Sequence, residues 1–164
     1  MLRLLFSIML LHALVLTAVP PASAAGAGFR GLQWGMTPQE VLVASRGTAQ
    51  LDPNRGRYST PQAFAMFVVP HRFAGFPFEA RFLFDRETRG LSRLHLTLLD
   101  PEACGDLREA LGGRYGQPQN EVQSLYFSFT KWYDRGRDEV VWSDIAGQCT
   151  LESWPLPPPI PPDP

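Results

Sequence analysis

The sequence predicts an α+β fold: an antiparallel sheet of about six strands with two helices packed on one face, in the order α-βββ-α-βββ. Three observations carry this. Two segments open with helix-capping chemistry, Thr37-Pro38-Gln39-Glu40 and Asp100-Pro101-Glu102. Six segments alternate apolar and polar side chains with the period of two that a half-covered sheet requires. Glycine and proline punctuate the chain between them, as turns demand.

The chain opens with a targeting pattern. Met1 to Arg3 form a short basic start, and residues 4–19 are apolar. Pro20 and Pro21 break the run, and Ala22-Ser23-Ala24 supplies a small-x-small cleavage site. This layout predicts a secretory signal peptide over residues 1–24. The apolar run is shorter than the ~20 residues of a spanning helix, so contact with a membrane is expected only through an uncleaved signal segment. A single α+β domain is expected over 25–154, and a disordered proline-rich tail over 155–164.

The first helix is expected from Pro38 to about Arg46. Thr37 caps it, Pro38 suits the first position, and Glu40 completes a capping box. Gly47 ends it. Residues 48–61, with Asp52-Pro53-Asn54-Arg55-Gly56, read as a loop. Phe64, Met66 and Val68 alternate in a first strand. Phe78, Ala80, Phe82 and Phe84 share one face of a second, with Glu79 and Arg81 on the other. Leu94, Leu96 and Leu98 oppose Arg93, His95 and Thr97 in a third. Gly75 and Gly90 mark the turns between them.

Asp100-Pro101-Glu102 opens the second helix, on which Cys104, Leu107, Leu111 and Tyr115 form one apolar stripe. Gly116 and Pro118 end it. Three further strands are expected around Leu125-Phe127-Phe129, Val140-Trp142 and Cys149-Leu151-Ser153. The repeated order raises the possibility of an internal duplication, with the matching caps as its support.

The formal charge is −1, and loss of Arg3 with the signal makes it one unit more negative. Nucleic acid is not an expected partner, since phosphate binding needs clustered positive charge. Cys104 and Cys149 are the two cysteines. In an exported chain they are expected to pair, which places the protein in the bacterial periplasm or outside the cell. Closing a loop of about 46 residues contributes roughly 4 kcal/mol by the chain-entropy estimate.

The run Trp34-Gly35-Met36-Thr37-Pro38-Gln39-Glu40-Val41, with Leu111 and Tyr115-Gly116-Gln117-Pro118, resembles a group of uncharacterised bacterial periplasmic proteins. Those proteins begin with a Trp-Gly-Met-Ser/Thr motif that enters a short helix. More distantly, Gly35-Met36-Thr37 with Glu40-Val41 is similar to the helix start of small outer-membrane assembly lipoproteins. The repeated helix-plus-sheet plan resembles beta-lactamase inhibitor proteins. Members of both latter families bind other proteins and catalyse nothing, so the resemblance implies a binding role.

Little in the chain points to catalysis. His71 and His95 are the histidines outside the signal, too few for an expected zinc site. No Gly-x-Ser-x-Gly elbow and no P-loop occurs. Arg55-Gly56-Arg57 and Arg135-Gly136-Arg137 read as exposed turns rather than anion sites. No catalytic residue, metal or cofactor is therefore assigned. One surface is distinctive. If Phe82 pairs with Leu94, Arg81 faces His95 and Glu79 faces Thr97 on the polar side of the sheet. With Arg93, and with Tyr126 and Trp132 from the fourth strand, these residues form a candidate protein-binding face. The expected function is that of an exported, non-catalytic binding or accessory protein whose partner is another envelope protein. The alternatives are a carrier for a small apolar ligand, suggested by eleven phenylalanines, and an uncharacterised hydrolase.

Overall fold

A computed structural model describes Phe29 and residues 31–134 and 138–157. The expected signal peptide, the Arg135-Gly136-Arg137 triplet and most of the proline-rich tail lie outside the described residues. Eight strands form one antiparallel sheet: β1 (Gln50–Leu51), β2 (Ala63–Phe73), β3 (Phe76–Asp85), β4 (Leu91–Leu98), β5 (Asn120–Gln123), β6 (Phe127–Tyr133), β7 (Asp138–Ile145) and β8 (Gln148–Pro155). Their spatial order is β1-β2-β3-β4-β8-β7-β6-β5. Each run of four begins at an outer edge and ends in the middle, where β4 and β8 pair from Leu94↔Ser153 to Thr97↔Thr150. Three helices accompany the sheet: α1 (Pro38–Ala44), α2 (Arg55–Tyr58) and α3 (Cys104–Tyr115), the last entered through a 3-10 turn at Pro101–Ala103.

This corrects the expected six strands and two helices on one face. The fold is mostly β, and both additional strands lie at sheet edges. β1 is two residues long, too short to carry any periodicity. β5 reads Asn-Glu-Val-Gln and is exposed along most of its length, so it lacks the apolar alternation of a covered strand. The alternation at Leu125-Phe127-Phe129 is also misleading, because Phe129 lies on the face away from the main core while Thr130 and Trp132 are buried. Ser124 and Leu125 belong to the β5–β6 turn, where the Ser124 N–H and hydroxyl both donate to the Phe127 carbonyl. The third helix, α2, lies within the segment read as a loop and covers the opposite face of the sheet.

The main core fills the face under α1 and α3. Phe78, Ala80, Phe82 and Phe84 on β3 and Leu94, Leu96 and Leu98 on β4 are buried there, with Trp132, Val140, Trp142 and Leu151 from the second half. Burying each large apolar side chain contributes roughly 1.5–3 kcal/mol, which explains why the period-two pattern fixes which face of each strand turns inward. The register is Phe82↔Leu94, Arg81↔His95 and Glu79↔Thr97. α3 contributes Leu107 and Leu111, four residues apart on one helix face. Its first residue, Cys104, pairs with Cys149 of β8, with Cα atoms 5.7 Å apart.

α1 is only seven residues long, and helices of that length need caps and packing to persist. Both are present. The Glu40 N–H donates to Thr37 Oγ1 at 3.4 Å, and the Thr37 N–H donates to Glu40 Oε2 at 2.7 Å. Val41 is fully buried. The preceding Trp34-Gly35-Met36 run is fastened to the sheet. The Gly35 N–H donates to the Leu91 carbonyl, the Leu91 N–H donates to Met36, and the Trp34 indole donates to Asp138 Oδ1 at 2.8 Å. Gly90 is required there, because a Cβ on it would lie 2.8 Å from the Gly35 Cα.

Candidate functional site

The face turned away from α1 and α3 carries one continuous row of directly paired residues across all eight strands. In spatial order it reads Gln50, Val68, Arg81, His95, Glu152, Val141, Lys131 and Asn120. A neighbouring row, Glu79, Thr97, Thr150, Ser143 and Phe129, runs beside it. Most of these side chains are half-buried, as expected for a sheet face open to solvent.

Arg81 is the exception, at 2% exposed. The reason is α2. Asp52 begins an Asx turn by accepting the Asn54 N–H at 2.8 Å, and the following turn of helix sets Tyr58 over the sheet. Tyr58 packs on Ala63, Ala65 and Leu83, and its ring centroid lies 3.7 Å from the Arg81 guanidinium carbon. Arg81 Nε donates to Asp52 Oδ2 at 3.1 Å, and the Asp52 side chain is wholly buried. The other arms of the guanidinium donate to Glu79 and, at 3.3 Å, to Thr97 Oγ1. A buried charge is tolerable only when paired and hydrogen-bonded in this way.

The network continues through His95. Its Nδ1 lies 2.9 Å from Glu152 Oε1 and its Nε2 3.4 Å from Thr97 Oγ1, while the Tyr58 ring packs beside the imidazole. Arg93 approaches Glu152 at 3.7 Å and lies over the Trp154 ring. Burial pushes the Glu152 carboxyl up, but the hydrogen bond and charge of His95, joined by Arg93, outweigh it. The net result lies below the ordinary value of 4.5.

Glu152, His95 and Thr97 stand in the carboxylate–imidazole–hydroxyl order of an acyl-transfer triad. Two features weigh against that chemistry. Thr97 Oγ1 already accepts from a charged guanidinium. β4 is an interior strand between β3 and β8, paired with β8 from Leu94 to Thr97, so the N–H groups of that stretch serve the ladder rather than an oxyanion hole. Among the described residues no group of three or more His, Cys, Asp or Glu converges as a metal site.

Four of the expected face residues, Glu79, Arg81, Arg93 and His95, come together on this face. Tyr126 stands apart at the tip of the β5–β6 turn, 81% exposed beside Leu125. Trp132 points the other way: it is buried in the main core, and its indole donates to the Gly116 carbonyl. Its neighbours Lys131 and Tyr133 occupy the open side. The sequence reading missed Asp52 and Tyr58, which lay in the expected loop, and it assigned no role to Glu152. Asp52-Pro53-Asn54 is a turn signal with a helix start behind it, and it marked the place without revealing the buried partner.

Compared with known proteins, the chain matches no family model, no curated protein and no solved structure.

Proposed function

We propose that this protein is an exported, non-catalytic binding protein that uses the open face of its sheet to hold another envelope protein. The observation that carries the reading is the eight-strand row on that face, rigidified at one end by the buried Arg81–Asp52 pair. Strands β4 and β8 at the centre present Arg93, His95 and Trp154, and β6 adds Phe129, together with small hydroxyl residues. Such a mixture of aromatic and arginine side chains with adaptable polar groups suits a protein contact. The acceptor role of Thr97, which already takes a hydrogen bond from the Arg81 guanidinium, favours binding over hydrolysis. The Cys104–Cys149 bridge fits an oxidising, extracytoplasmic compartment. Among the described residues no helix is long and apolar enough to cross a membrane. Export is expected to remove residues 1–24, and the intact mass of the periplasmic form, starting at Ala25, checks it.

The binding reading is tested by affinity capture from the envelope with three proteins: wild type, Thr150→Arg at the centre of the open face, and Glu109→Arg on α3. A discrete partner retained by wild type and Glu109→Arg but lost by Thr150→Arg supports it. Equal recovery with all three, or no discrete partner, overturns it.

A further inference from the structure

A second feature lies on the helix-bearing side, away from the open face. Between the segment at Phe29 and Leu32, the end of α1, and strands β2 and β3 is a cleft of about 460 Å³. That volume lies within the range of small-ligand sites. Phe29, Leu32, Val69 and Phe82 supply apolar walls, and Phe82 and Leu32 are buried. The Phe29 ring also stacks on His71, with centroids 3.8 Å apart.

The polar lining is one-sided. No acidic residue lines the cleft among the described residues. The Ser45 hydroxyl already donates to the Leu42 carbonyl, and the Thr48 hydroxyl to the Ser45 carbonyl. Arg46 is exposed at the rim, and among the described residues its guanidinium has no carboxylate partner. The end of α1 does not cancel this positive charge with free acceptors. The carbonyls of Val41, Leu42 and Val43 are taken by the N–H groups of Ser45, Gly47 and Arg46. A cleft of mixed apolar and polar lining, with a guanidinium at its rim and no carboxylate among its described lining residues, is complementary to a molecule with an apolar body and an anionic head.

We propose that this cleft binds a small amphiphilic anion, an aliphatic or aromatic carboxylate or sulfonate, with its body against the half-buried Phe29 and Ala44 and its head on Arg46. The site is independent of the open-face reading and shares no residue with it.

The test uses the full mature chain and anilinonaphthalene sulfonate, whose fluorescence rises in apolar surroundings. One saturable site is expected. Arg46→Gln should weaken it about tenfold, as loss of a charge-assisted hydrogen bond does. Ala44→Phe, which fills the cleft from α1, should abolish it. Leu125→Ser, at the exposed turn, should leave it unchanged. Dodecanoate should displace the dye, and dodecyltrimethylammonium should not. If thermal melts find Ala44→Phe unfolded, Thr48→Trp at the exposed rim replaces it. Dye binding that survives both Arg46→Gln and the filling variant overturns the proposal. So does displacement by the cationic amphiphile, loss of binding in Leu125→Ser, or the absence of saturable binding.

Discussion

Arg81 Nε lies 3.1 Å from Asp52 Oδ2 beneath the Tyr58 ring, joining the middle of β3 to the segment that leads into α2. The pair explains how a charged residue on a polar sheet face comes to be buried. It also explains why a turn-rich stretch settles into a short helix. Without Asp52 the guanidinium would keep its burial and lose its principal counter-charge. Asp52→Ala is therefore expected to destabilise the fold by about 3–5 kcal/mol. The double variant Asp52→Ala/Arg81→Met, which removes both charges, should recover part of that loss. Denaturant melts of the three proteins decide it, and equal stability of Asp52→Ala and wild type would mean the pair is not formed.

Glu152 carries a pH signature. Its folded-state carboxyl lies below the ordinary 4.5, because His95 and Arg93 outweigh the opposing effect of burial. A depressed acid contributes stability that is fully present above its unfolded value and is lost as pH falls through the folded value. Glu152→Gln should thus be less stable than wild type near neutrality. The gap should close as pH falls below about 4.5. Melting temperatures of both proteins across the acid range check this, and a gap that does not change with pH contradicts it.

The inward faces of β3 and β4 were readable in sequence, but that of β2 was not traced through, because a bulge between Ala65 and Phe67 turns Val68 to the open face. Phe78, Ala80, Phe82 and Phe84 with Leu94, Leu96 and Leu98 specified which faces of β3 and β4 turn inward, because a slip by one would turn every phenylalanine into water. The Phe82–Leu94 pairing itself was a condition that the structure meets. The edge strands were not readable. β1 is two residues long and β5 is polar, so neither leaves a periodic trace. The site was half readable for the same reason. Alternation placed Glu79, Arg81, Arg93 and His95 on one face. It could not place Asp52 and Tyr58, whose positions depend on α2 folding back over β2 and β3. Trp132 was misassigned because the strand was started in the β5–β6 turn and its inward face was not traced from Thr130 and Trp132.

The Cys104–Cys149 bridge ties the first turn of α3 to β8, near the seam where the two four-strand runs meet. Replacing both cysteines by serine should cost about 2–5 kcal/mol. Thiol labelling of the unfolded, unreduced wild type should find no free thiol. Labelling at both positions would contradict the bridge.

The Thr37–Glu40 capping box holds a seven-residue helix at the end of the Trp34-Gly35-Met36 run. Thr37→Ala should lower stability by roughly 1 kcal/mol. Its effect on partner capture should be nil, because the cap lies on α1 and far in sequence from the β4–β8 centre of the open face. A shifted denaturant midpoint with unchanged capture is the expected outcome.

The central claim, that the open sheet face is the contact surface, is tested most directly by site-specific photo-crosslinking in the living envelope. A photoreactive residue is placed at Phe129 or Ser143 on that face, and in a control at Glu109 on α3. Both open-face positions are expected to give the same discrete protein adduct, with none from Glu109. Adducts from Glu109 equal to those from the open face, or none from Phe129 and Ser143, would contradict the account.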